Sequence, residues 1–221
     1  MSTEHGEKPR QPDEPASTPM QPAGQSRGRM LLFESTLIVL SVLLGFSLQA
    51  WGERRANARI AQAAIESFRA EIQTNLNTLQ RVQPKHAEFA ERLAEAIVDS
   101  TSRSAETAFD VFARTMPEGG LDTPPLREAA WETAMSTGAL SLLDYDLAAV
   151  LSETYLIQRS TLAPTLALLR ERLIAPANFE SREHRALLRV HQMMLNELAG
   201  QEAYLIDVYG NALARLFEAD R

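Results

Sequence analysis

Between Met30 and Trp51 the chain runs for 22 residues, MLLFESTLIVLSVLLGFSLQAW, with a single charged side chain, Glu34. At 1.5 Å rise per residue such a run is about 33 Å long as an α-helix, enough to cross a hydrocarbon core of about 30 Å. It closes on Trp51, whose amphipathic ring suits the membrane–water boundary. The pattern predicts one transmembrane helix over residues 30–51, with the lipid bilayer as its first partner. A cleaved signal sequence is the competing reading, since Leu37–Leu48 is short and Ala50 is small. Two features favour the anchor: the stretch before it is far longer than a normal basic leader, and helical periodicity continues past Trp51.

Residues 1–29 hold five of the 11 prolines and almost no large apolar side chain. They cannot bury enough surface to offset ordering entropy, which predicts a disordered tail. Residues 52–221 are enough for one domain with its own core. The net charge is −7; the tail carries four acids and four bases, and the segment after Trp51 holds 24 acids against 18 bases. An acidic domain lacks the electrostatic footprint of a nucleic-acid binder. There are no cysteines, so disulfides and thiolate metal sites are excluded.

After the span, Ile65, Phe68, Ile72, Leu76, Leu79 and Val82 recur every three to four residues. Together with the proline-free GERRANARIAQAA this predicts one helix from the bilayer to about Val82, broken at Pro84. Phe89, Leu93 and Ile97 mark a second helix, Ser100–Ser104 an interruption, and Phe109 with Phe112 a third. Thr123 before Pro124 predicts a helix start for the segment holding Leu126, Trp131 and Met135, ending near Gly138. Asp144 can cap the next helix, which Pro164 kinks or restarts and Pro176 ends. A stripe from Leu187 to Leu198 stops at Gly200, and a last helix holds Tyr204 to Phe217. No β-alternation and no internal repeat are present. The fold expected is all-α: one N-terminal transmembrane helix continuing into an antiparallel helical bundle.

Glu34, Gly45, Leu48, Gln49 and Trp51, followed by the cluster Glu53-Arg54-Arg55, resemble the pattern of a family of bacterial single-pass membrane proteins known only as a domain of unknown function. Trp131–Asp144, with Tyr155 downstream, is similar to a second segment of that family, and the resemblance extends loosely over Leu31–Tyr155. The chain departs from the pattern at Ala50, where the family often has Asn. The resemblance implies an envelope protein with a helical extramembrane domain and implies no activity. Arg27 and Arg29 on one side of the span nearly balance Arg54, Arg55 and Arg59 on the other, so the positive-inside rule decides little. A short polar tail is easily left in the cytoplasm and the resembling family looks N-inside. The expected location is therefore the bacterial inner membrane, with the C-terminal domain outside the cytoplasm.

Candidate functional residues are few. Glu34 lies about one turn inside the span, where an ionisable group is either a functional proton or pairing site or a headgroup-level side chain that snorkels. Ser41 and Gly45 form a small-x-x-x-small pair that lets two helices approach in lipid. Self-association through that pair and the Ile65–Val82 stripe competes with packing of the stripe inside the domain. His184, His191 and Glu180 share a helix face, but without a metalloprotease spacing and with Arg182, Arg185 and Arg189 nearby they read as a solvated face. His86, after Pro84 and Lys85, reads as surface. Asp144 and Asp146 read as capping acids rather than a catalytic pair. Trp131 and Tyr155 line a ligand pocket or, more simply, pack between helices. No nucleophile elbow, Walker loop or dinucleotide fingerprint is present, so no catalytic residue, cofactor or metal is assigned. The function expected is a membrane-anchored interaction or scaffold protein with an unknown protein partner. An extracytoplasmic ligand sensor acting through a partner is the alternative, and an enzyme the least supported reading.

Overall fold

The computed structural model describes residues 25–99, 106–123, 125–180 and 185–219. Among them every regular element is helical: α1 (Gln25–Asp99), α2 (Ala108–Thr115), α3 (Ala129–Thr137), a 3₁₀ turn at Ala139–Leu142, α4 (Tyr145–Ile157), a π turn at Gln158–Leu162, α5 (Ala163–Leu173), α6 (Ala177–Glu180) and α7 (Arg185–Glu218). The all-α expectation holds. Most of the 1–29 tail, the Ser100–Ser104 interruption and His184 lie outside the described residues.

The chain divides into two units, Met1–Glu53 and Arg54–Arg221. In the first, the apolar stretch of α1 has none of its residues buried, and it belongs to the one described helix long and apolar enough to cross a membrane. Its hydroxyls turn back on the helix: Ser41 Oγ donates to the Leu37 carbonyl and Ser47 Oγ to that of Leu43, both at 2.8 Å. Neither hydroxyl is therefore left without a hydrogen-bond acceptor.

In the second unit the face of α1 carrying Ile65, Phe68, Ile72, Leu79 and Val82 is buried. It packs in the domain's own core with Leu151 and Tyr155 of α4, Leu169 of α5, and Leu195, Leu205 and Leu216 of α7. The stripe is thus covered within one chain. α1 and α7 run antiparallel: Arg69 Nη2 donates to the Leu216 carbonyl (3.0 Å), Gln83 Nε2 to that of Ala199 (3.5 Å), and His86 meets Glu202 (2.9 Å).

Three boundaries differ from the sequence expectation, each because packing overrides local preference. α1 continues through Pro84 to Asp99. Pro84 is exposed, while Val82, His86 and Phe89 on either side are held in the core, so the missing N–H is tolerated. α7 is one helix of 34 residues rather than two. Gly200 and Gly210 lie on its exposed side, and the penalty of about 1 kcal/mol for each glycine is offset by Leu198, Leu205 and Tyr209, all fully buried. α3 begins at Ala129 and not at Thr123; consecutive prolines at 124 and 125 disfavour helical backbone in the residue before each, and a tertiary contact takes over the backbone of Arg127 (below).

Other terminators follow the sequence. Asp144 Oδ1 accepts from the backbone of Asp146 (2.9 Å) and Leu147 (3.4 Å), capping α4. Gly138 ends α3 at φ 73°, a left-handed conformation that costs a side-chain-bearing residue energy. The π turn widens the helix just before Pro164, whose missing N–H lies in the first turn of α5. Because Pro84 sits mid-helix, Pro84→Ala is expected to raise the denaturation midpoint, by an amount equivalent to about 1–3 kcal/mol. Urea unfolding of the two forms in the same detergent checks this.

Candidate functional site

The buried face of α1 carries three polar residues among its apolar ones, Glu71 (8 % exposed), Asn75 (1 %) and His86, of which the first two lie close to α3. Glu71 and Asn75 serve the backbone that leads into α3. Glu71 Oε2 accepts from the N–H of Ala130 (3.0 Å), in the first turn of α3. It replaces a local cap, because the residue at the N-cap position, Glu128, makes no capping hydrogen bond with its side chain. Asn75 holds both backbone polar groups of one residue: its Oδ1 accepts from Arg127 N–H (2.9 Å) and its Nδ2 donates to the Arg127 carbonyl (2.8 Å). That is the pairing a β-strand would supply, provided here by one side chain.

The network continues into α4 and α7. Tyr155 Oη donates to Glu71 Oε1 at 2.7 Å. Gln158, at the start of the π turn, donates from Nε2 to the Arg127 carbonyl (3.2 Å), and its Oε1 accepts from Tyr209 Oη (2.6 Å). Burial, then the hydrogen bond to Glu71, pushes the Tyr155 phenol far above the usual range; burial does the same to Tyr209. Both rings therefore remain protonated at physiological pH and act as fixed donors rather than bases. Trp131 stacks on Tyr155 with centroids 5.4 Å apart, and the Arg159 guanidinium lies 5.9 Å from the Trp131 centroid.

Above this network, α1 and α3 leave an open groove of about 640 Å³. Its walls are mainly alanines with a few hydroxyl side chains, and Glu71 and Arg127 are its charged lining residues. A second hollow of about 510 Å³ runs along α5 beside Leu126 and Leu166. The basic groups there are already engaged: Arg159 with the Tyr155 carbonyl and Trp131, Arg170 with Thr123.

Trp131 and Tyr155 are the sequence candidates that the fold brings together, and both are packed: Trp131 is 7 % exposed and Tyr155 fully buried. Glu34, Ser41, Gly45, Gln49 and Trp51 all lie in the first unit on exposed positions or, for Gln49, on an exposed side chain bonded to Glu53 (2.9 Å). A Cβ built on Gly45 would meet nothing within 4 Å, so nothing in the chain's own packing requires a glycine there.

Two histidine expectations are corrected. His86 is 1 % exposed, with Nδ1 2.9 Å from both carboxylate oxygens of Glu202, itself 2 % exposed. The helix does not break at Pro84, so His86 falls four residues after Val82 on the buried face. His191 is 4 % exposed rather than solvated; its Nδ1 lies 2.8 Å from the Leu187 carbonyl and its ring 5.6 Å from that of Phe112. Among the described residues no three His, Asp or Glu side chains converge as metal ligands.

Sequence reasoning passed over Glu71, Asn75 and Glu202 and misplaced His86. A signal was present: Asn75 is seven residues after Phe68, His86 seven after Leu79, and Glu202 four after Leu198. Each is a polar residue at an apolar stripe position, which marks a buried hydrogen-bonded group.

Comparison of the chain with protein-family models, with curated proteins and with solved structures finds no match.

Asn75→Ala leaves the Arg127 N–H without its partner in a part-buried setting. The expected cost is about 1–3 kcal/mol of stability, read as a lowered urea midpoint, with α3 exchanging its amide hydrogens faster than α7. Equal loss of protection across both helices would show that Asn75 does not act through the 125–130 segment.

Proposed function

We propose that this is a single-pass, membrane-anchored interaction protein of the bacterial envelope. Its apolar helix localises a helical bundle, and the bundle holds a protein partner without catalysing a reaction. The observation that carries this reading is the α1/α3 groove, a recess of about 640 Å³ on the outside of a core whose largest side chains are fully buried. Grooves between helices are common places for partner and ligand recognition. The apolar stretch of α1, none of it buried, supports membrane anchoring, because such a surface in water would drive aggregation. The resemblance to bacterial single-pass proteins supports the envelope and a C-terminal domain outside the cytoplasm.

Purification of the full chain from its native membrane in mild detergent is expected to bring a stoichiometric second protein. Ala70→Leu, which fills the groove from an exposed position, is expected to lose it. Recovery of the chain alone, from wild type and variant alike, would overturn the scaffold reading. For orientation, added protease is expected to digest the bundle in spheroplasts; full protection there, with digestion after lysis, would place the bundle in the cytoplasm.

One observation favours a second reading, a ligand sensor working through a partner. The groove is not uniformly apolar: a carboxylate, Glu71, is among its lining residues. An apolar recess with a few convergent polar groups is the usual form of a small-molecule site.

A further inference from the structure

Glu71 is more than nine-tenths buried, yet the ion pairs of the described residues do not include it. Its two oxygens take neutral donors only, Tyr155 Oη and the Ala130 N–H. The basic residue two positions before it, Arg69, is turned to α7, where its guanidinium lies 4.7 Å from the Phe217 centroid and donates to the Leu216 carbonyl. Neutral donors hold a carboxylate in place, but they do not cancel its charge, and a charge removed from water without a counter-charge is costly. A carboxylate can also accept more than two hydrogen bonds. What remains of Glu71's surface lines the α1/α3 groove.

We propose that the α1/α3 groove binds a small organic monoamine, its ammonium group donating to Glu71 and its alkyl or aryl body lying against the alanine walls. This rests on the ligand-sensor reading and names the ligand class for it. The volume of about 640 Å³ falls within the range of roughly 300–1,000 Å³ typical of small-ligand sites. Ala63, Ala64, Ala70 and Ala134 contribute methyl groups to the lining, which suits a hydrocarbon body and offers it no polar competitor. Ser67, Thr74 and Thr133, also in the lining, carry hydroxyls that can accept the remaining ammonium hydrogens. Arg127 sets the charge limit. It lines the same groove with an exposed side chain, and it repels a second positive charge. The site therefore selects monoamines over diamines of equal length.

The test uses the full chain in lipid nanodiscs, with empty nanodiscs subtracted to remove partitioning into lipid. 4-Fluorobenzylamine is titrated and followed by ¹⁹F NMR, beside 4-fluorobenzyl alcohol, which has the same body without the charge. Saturable binding of the amine is expected, displaced by n-hexylamine. The alcohol is expected to bind about tenfold more weakly or worse, the usual worth of a charge-assisted hydrogen bond. 1,6-Diaminohexane is expected to compete less well than n-hexylamine. Glu71→Gln is expected to lose the preference for amine over alcohol. Because Glu71 also caps α3, Ala70→Leu is the second variant: it leaves the cap intact and is expected to abolish binding at unchanged helicity.

Equal binding of amine and alcohol, both lost in Ala70→Leu, would overturn the monoamine assignment while leaving a ligand site in the groove. So would unchanged amine preference in a folded Glu71→Gln protein. Binding of neither compound, or binding indifferent to Ala70→Leu, would overturn the assignment and the ligand-sensor reading of this groove together.

Discussion

The bundle depends on how α1 satisfies backbone it does not own. The segment 125–128 enters the domain as irregular chain, and irregular chain near a core needs hydrogen-bond partners. Asn75 and Gln158 supply them at Arg127, and Glu71 supplies one at Ala130. Because Gln158 also accepts from Tyr209, and Glu71 from Tyr155, the same few side chains connect α1, α3, α4 and α7. Hydrophobic burial drives these helices together with little regard to direction. The polar clamp fixes their register, since its hydrogen bonds require particular donors and acceptors to face one another.

That clamp also shapes the surface. α3 is short and is held by its first turn against α1. The facing sides of the two helices carry alanine, serine and threonine. Small side chains there leave a groove instead of a filled interface, and place Glu71 in its lining. One residue thus caps α3 and also lines the groove.

Much of this was legible in the sequence. The apolar face Ile65–Val82, the cap at Asp144, the stop at Gly138 and the all-α class follow from local periodicity and turn chemistry, and the structure agrees on each. The misses share one cause. Pro84 and Gly200 are strong local breakers, yet the helices run through them, because His86, Phe89, Glu202 and Leu205 are anchored on the far side. Reading a break at Pro84 then sent His86 to the surface, although its spacing from Leu79 and Val82 placed it on the buried face. Polar residues within an apolar stripe are the sign that was available for Glu71, Asn75, His86 and Glu202; what they bond to was not, since their partners lie 52–116 positions away.

By itself the sequence determined the helical class, the single apolar span-length run and the faces of α1 and α7 that go inward. Those are properties of spacing along one chain, set by a period of 3.6 residues and by where charge is absent. Tertiary structure decided which breakers are overruled, that α3 is capped from α1, and that Glu71 lines a groove without joining an ion pair among the described residues. Those outcomes depend on groups far apart in sequence competing for the same hydrogen bonds and the same space, and only the packed chain resolves that competition.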